Sequence, residues 1–198
     1  MDVAAFVVAS GHRPVLFQSV DPSQNRSTEA SYRGPVGNVF GGGEQSLYLS
    51  NSGTEVFIDV LMLAVSDLAD DVWDYRFAAL LTLQDQNMMG RGAVGFDLQD
   101  IAWGATPRSR ARSKDFVLRA TALALSRHRW NELGYEPPFA RRYLSQFKAM
   151  VEAFPTAGDT HLVGAFPGPD ERAMASCSQH RILSALPHWE GCFLCTTP

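Results

Sequence analysis

Residues 3–9 form an apolar, β-branched run, Gly11-His12-Arg13-Pro14 reads as a turn, and residues 15–18 resume as a second short strand. Residues 19–45 break the pattern. They are rich in Ser, Asn, Gly and Pro, include Gly41-Gly42-Gly43, and are expected to form a long flexible loop. Residues 46–50 read as a strand again and Asn51-Ser52-Gly53 as a turn. Residues 55–64 are so uniformly apolar that periodicity leaves strand and helix open.

Helical spacing takes over in the middle. Phe77, Leu80, Leu81 and Gln84 recur at intervals of three and four within residues 72–86, and Gly90-Arg91-Gly92 ends that helix. Val94, Phe96 and Leu98 then alternate as in a strand over residues 93–103. Ser113 is the expected N-cap of a further helix, with Asp115 in its first turn. Its residues 116–125 are apolar nearly all round, which predicts a central, buried helix. A last helix follows Pro137-Pro138. Phe139, Tyr143, Phe147, Met150, Val151 and Phe154 fall on one arc, with Arg141, Ser145, Lys148 and Glu152 opposite, and Pro155 stops it. The expected fold is α+β, helices packed on a small, mostly antiparallel sheet, with a domain over 1–170 and a tail over 171–198 packed on it.

Composition narrows the class. The 198 residues are 45% hydrophobic and 19% charged, with a formal net charge of -4. That is too apolar for disorder, and the chain is long enough for a core without disulfides. Apolar runs are broken by Asp59, Asp67 or Arg76, so no membrane span is expected; residues 1–10 lack the basic segment of a secretory signal, and a cytoplasmic location follows. Mild acidity argues against bulk affinity for nucleic acid. The average hides a division, however: residues 55–100 hold nine acids and two arginines, while 108–148 hold ten Lys and Arg and three acids. Arg108, Arg110, Arg112 and Lys114 open the basic half. Phosphate contacts there would make a zinc-stabilised nucleic-acid-binding protein, the alternative to a solvated loop paired with the acidic half.

All three cysteines lie in the last 22 residues, an odd number that cannot close a disulfide set. Cys177-Ser-Gln-His180 and Cys192-Phe-Leu-Cys195 are two C-x2-[CH] knuckles separated by eleven residues. Each knuckle turns tightly enough to put two ligands on one ion, and a hairpin between them returns the second pair to the first. Cys177, His180, Cys192 and Cys195 are therefore the expected ligands of a structural Zn2+. Four protein ligands leave no open coordination position for catalysis, and such sites contribute about 10 kcal/mol or more to folding.

Other motifs carry less. Gly90-x-Gly92-x-x-Gly95 matches a dinucleotide fingerprint, but a helical segment precedes it where a strand is required. His188-Trp-Glu190 before Cys192-x-x-Cys195 superficially matches the pieces of a zinc deaminase. The two pieces are nearly contiguous, and Cys177 and His180 would be left without a role. His12, His128 and His161 have no nucleophile or carboxylate partner nearby in sequence, so the chain is not expected to be an enzyme.

One set of residues resembles a known group. Gly95-Phe96-Asp97-x-x-Asp100-Ile101-x-Trp103, Lys114-x-Phe116, Trp130-x-x-Leu133-x-Tyr135-x-Pro137, the segment Phe147 to Phe154 and the terminal C-x2-H and C-x2-C together resemble bacterial immunity-type proteins associated with polymorphic toxins. The likeness covers about residues 73–195. It implies a non-catalytic cytoplasmic protein that binds a cognate toxin domain and blocks it. Toxins that act on nucleic acid are basic, so an acidic face would complement them, and Asp67, Asp70, Asp71 and Asp74 are the expected partner-binding residues.

Overall fold

Glycine builds the first element that the structure describes. In this computed structural model, residues 38–82, 95–156, 175–184 and 192–196 are described. β1 (Asn38–Gly42) pairs antiparallel with β2 (Gln45–Leu49) through a two-residue turn, with Gly43 at φ +72°. Of the loop expected over 19–45, residues 19–37 lie outside the described residues, and residues 38–42 and 45 lie in strands. Gly41 is there because its backbone is approached closely. Its N–H donates to the Phe96 carbonyl at 2.9 Å, and a Cβ would sit 1.4 Å from an Asp97 oxygen. The alternation expected over 93–103 reduces to one parallel bridge, Gly41 to Asp97, followed by a 3-10 turn at Leu98–Asp100.

α1 (Asn51–Leu68) settles the ambiguous apolar run as helix. The Ser50 hydroxyl accepts from the Gly53 N–H, so the predicted Asn-Ser-Gly turn is the helix's first turn. Eleven of its residues are buried on every side of the axis, so α1, rather than the later apolar helix, is the most enclosed. α2 (Val72–Thr82) follows after a break, capped by the Asp71 carboxylate, which accepts from the N–H groups of Trp73 and Asp74.

α3 (Pro107–Leu125) begins earlier than the expected Ser113 cap. Thr106 caps it, its hydroxyl accepting from Ser109 N–H, and Pro107 occupies the first turn. Ser113 lies inside the helix and is buried. Phe116, Val117, Ala120 and Ala124 face the core while Asp115, Arg119 and Ala122 face solvent, so α3 is one-sided rather than apolar all round. A 3-10 turn at Trp130–Glu132 leads to α4 (Ala140–Ala153), which buries Leu144, Phe147, Met150 and Val151. The arc predicted for α4 is correct at its centre, but Phe139 stands 67% exposed at its start.

α1 packs against α2, α3 and α4, and α4 against β2. Two aromatic clusters fill the spaces. Phe40, Phe57, Phe96 and Phe147 meet edge to face at 5.0–6.5 Å; Trp73 contacts Phe77, Trp103 and Phe116 at 5.7–6.0 Å. Each such pair adds roughly 0.5–1.5 kcal/mol beyond area burial. Two indole N–H groups find backbone partners, Trp103 donating to the Leu98 carbonyl and Trp73 to the Ala102 carbonyl, whereas that of the buried Trp130 has none among the described residues.

The tail adds β3 (Ala175–Ser176), β4 (Leu183–Ser184) and the short α5 (Phe193–Thr196). β3 and β4 pair antiparallel, and Ile182, Leu183 and Leu194 belong to the same buried core as the helices. The fold is thus α+β, helices on a small antiparallel sheet with a C-terminal Cys/His hairpin. The early strands at 3–9 and 15–18, Gln84, the glycine motif up to Gly92, His12, His161 and His188 to Glu190 lie outside the described residues. No helix among the described residues is long and apolar enough to cross a membrane.

Candidate metal centre

The chain between β3 and β4 turns back on itself within six residues. Cys177 N–H donates to the Ile182 carbonyl, and Arg181 N–H donates to the Cys177 carbonyl at 2.7 Å. Arg181 adopts φ +56°, the left-handed conformation that closes the turn. This knuckle presents the Cys177 sulfur and the His180 ring on one side. α5 supplies the second knuckle, its Cys195 N–H donating to the Cys192 carbonyl and its Leu194 anchored in the core.

The four predicted ligands converge. One ligand atom from each of Cys177, His180, Cys192 and Cys195 lies within 4.8 Å of the others. His180 Nδ1 stands 3.8 Å from Cys177 Sγ, 3.7 Å from Cys192 Sγ and 3.3 Å from Cys195 Sγ, and Cys177 Sγ is 3.7 Å from Cys195 Sγ. A tetrahedron with zinc–sulfur bonds of about 2.3 Å and zinc–nitrogen bonds of about 2.05 Å has edges of about 3.8 Å between sulfurs and about 3.6 Å from sulfur to nitrogen. These four separations lie within about 0.3 Å of those edges. They are far longer than the roughly 2.05 Å of a disulfide, and all three cysteines are free.

The electrostatics also favour a cation. The Cys177 thiol is held down at about 6, first by the backbone N–H of His180, which donates to its sulfur at 3.4 Å, and then by Gln179. Burial pushes Cys192 up to about 11, and Cys177 beside Cys195 raises Cys195. One thiolate is stabilised and its neighbours resist ionising next to it. Three adjacent thiolates need a shared positive charge, which a divalent soft-to-borderline metal supplies. With Nδ1 toward the sulfurs, a ligating His180 carries its proton on Nε2.

The other predicted residues have different places. Asp74 is fully buried: its carboxylate takes Arg112 at 2.5 and 2.8 Å and accepts from the N–H groups of Asp70 and Asp71. Asp71 also pairs with Arg112 at 2.7 Å, and these acids hold the Arg112 guanidinium in its charged form. Asp67 binds His128 at 2.8 Å and Arg129 at 3.1 Å, so His128 does have a carboxylate partner, 61 positions away. The four acids consequently form two separate sets of internal contacts, with Asp67, Asp70 and Asp71 exposed and Asp74 interior. In the basic run, which is the start of α3 and not a loop, Arg110 bonds the Gly104 and Ala105 carbonyls and Lys114 those of Glu152 and Phe154. Within that run it is Arg112 that pairs with the acidic half, through Asp71 and Asp74.

Sequence reasoning missed Arg129. Its guanidinium donates through Nε and Nη2 to both Glu132 oxygens at 2.8 Å, through Nη1 to Asp67, and through Nη2 to the His180 carbonyl at 2.6 Å. The paired guanidinium holds the Glu132 carboxyl below its ordinary value. The only sequence signal was the i,i+3 spacing of Arg129 and Glu132. No protein-family model, curated protein or solved structure matches this chain.

Proposed function

We propose that this protein is a non-catalytic binding protein of the immunity type, held in shape by a structural Zn2+ on Cys177, His180, Cys192 and Cys195, that neutralises a cognate toxin domain in the bacterial cytoplasm. The convergence of the four ligand atoms at tetrahedral spacings carries the metal part of this reading. The closed donor set assigns the ion to structure rather than chemistry. The toxin part is supported by the motif resemblance. Asp74 is interior and drops out of the candidate contact face; Asp67, Asp70 and Asp71 are exposed, with the Asp67 carboxylate paired to His128 and Arg129 and that of Asp71 to Arg112.

Elemental analysis of the purified chain should give one zinc per molecule. A strong chelator should lower its melting temperature, and Cys195→Ser should abolish the difference. For the partner, the C-terminal domain of a large toxin encoded immediately upstream would be expressed with and without this protein. Restored growth and a stable 1:1 complex are expected; undiminished toxicity with no complex would refute the immunity reading while leaving the zinc reading to its own measurement.

A further inference from the structure

We propose that Arg129 is a positioning residue of the metal centre, which couples metal binding to the order of the turn over residues 127–133. It does so because one guanidinium is bonded at once to Asp67, Glu132 and the backbone carbonyl of the ligand His180. This inference rests on the four-residue cluster being a zinc site.

Arg129 is buried for a charged residue, its side chain 14% exposed, and its donors are spread over three segments of chain. Glu132 fixes it to its own turn, Asp67 to the last turn of α1, and His180 to the metal knuckle. The contact with His180 is to the peptide of a ligand and not to a neighbouring surface. His180 turns its ring toward the sulfurs while its carbonyl is taken by Arg129. The next residue, Arg181, sits at φ +56° with its guanidinium 3.6 Å from Asp67. The peptide that aims the imidazole is therefore set from outside the knuckle.

The coupling also works in the other direction. Arg127 and Arg129 both adopt left-handed backbone, at φ 65° and 59°, a conformation that side chains other than glycine hold only when their surroundings fix it. The turn's own bonds are short-range: Trp130 N–H to Arg127, Glu132 N–H to Arg129, Leu133 N–H to Trp130. The contact to His180 adds an anchor that a metal would hold rigid. Binding free energies are reciprocal, so if Arg129 improves metal affinity, metal must stabilise the Arg129 conformation by the same factor. The same turn lines one side of an open cavity of about 510 Å³ through Arg127, Trp130 and Asn131, so the shape of that wall follows metal loading.

The test is zinc affinity of the full chain by competition with a chromophoric chelator, together with amide hydrogen exchange. Outer-shell partners of ligands typically change metal affinity 10–100-fold. Arg129→Gln should weaken zinc binding about tenfold. Arg129→Lys, which keeps the charge but loses the fork, should fall between it and wild type. Arg119→Gln, which breaks an exposed pair with Asp115, should leave affinity unchanged. A merely structural role would lower the melting temperature of the zinc-free and zinc-loaded chains equally, whereas positioning shrinks the increment that zinc adds. In the wild type, zinc should slow exchange at Trp130, Glu132 and Leu133. Equal zinc affinity in wild type and Arg129→Gln overturns the proposal, and so do turn amides that exchange identically with and without zinc. The exchange measurement needs no variant and decides the matter if Arg129→Gln does not fold. A wild-type chain that binds no zinc instead refutes the metal site on which the proposal stands.

Discussion

Removing the Asp74 carboxylate should be among the most damaging polar substitutions in the protein, and the cost can be worked from its contacts. Its side chain is 1% exposed and accepts four hydrogen bonds, two from Arg112 and two from the backbone of Asp70 and Asp71. Breaking a fully buried ion pair from one side costs roughly 3–5 kcal/mol. Arg112 is 37% exposed and retains Asp71, so after Asp74→Ala it can hydrate, and the expected loss is at the low end, about 3 kcal/mol. Arg112→Ala leaves an unpaired carboxylate with no access to water and should cost more, about 4 kcal/mol. With a urea m-value of about 2 kcal/mol/M, Asp74→Ala should move the midpoint by about 1.5 M. The double variant should lose distinctly less than the sum, because each single change strands the other partner. A midpoint shift below about 0.3 M for Asp74→Ala at unchanged m, or strict additivity, would show that this pair does not anchor α2 to α3.

Gly41→Ala should destabilise by about 3 kcal/mol in thermal or urea unfolding, since its Cβ would collide with Asp97, and Gly41→Ala with Asp97→Gly should recover part of the loss. Lys114→Met should cost about 1–2 kcal/mol and speed exchange at the end of α4, because Lys114 bonds the carbonyls of Glu152 and Phe154. The Glu132 carboxyl is held below its ordinary 4.5 by the Arg129 hydrogen bonds, so its contribution is present above that value and is lost as pH falls through the lower folded-state value. In chelator-treated protein, wild type should therefore lose more stability than Glu132→Gln on going from pH 5 to pH 3; equal losses would contradict the pairing.

The four candidate metal ligands were legible because their chemistry is local. Two residues on either side of a tight turn meet one ion whatever the rest of the chain does, and the C-x2-H and C-x2-C spacing encodes that turn. Helix positions were legible wherever one face was apolar, as in α4. The start of α3 was not. Thr106-Pro107 and Ser109 carry the signal for a capped helix, but the four basic residues interleaved there suggested a solvated loop. Their partners, Asp74, Gly104 and the end of α4, are fixed only by tertiary packing. Likewise the acids from Asp67 to Asp74 share one face only if one helix continues through them. The chain breaks between Leu68 and Val72, and the charges turn to different partners. Gly41 carried no sequence sign of its role, since the segment it accommodates is more than fifty positions away.

The tie between Leu183 N–H and the Ser66 hydroxyl spans 117 positions, and that between Arg129 and His180 spans 51. Such contacts close large loops, whose entropy must be lost before they return any stability. The helices and β1–β2 hairpin come earlier in the chain and can be assembled while the ligands are still being synthesised. The knuckles are the last of the described residues to leave the ribosome, and their docking surface must already exist when they arrive. On the proposed metal reading, capture of the ion is then the closing step of folding, and a chain that holds its ion is one whose helices were already in register.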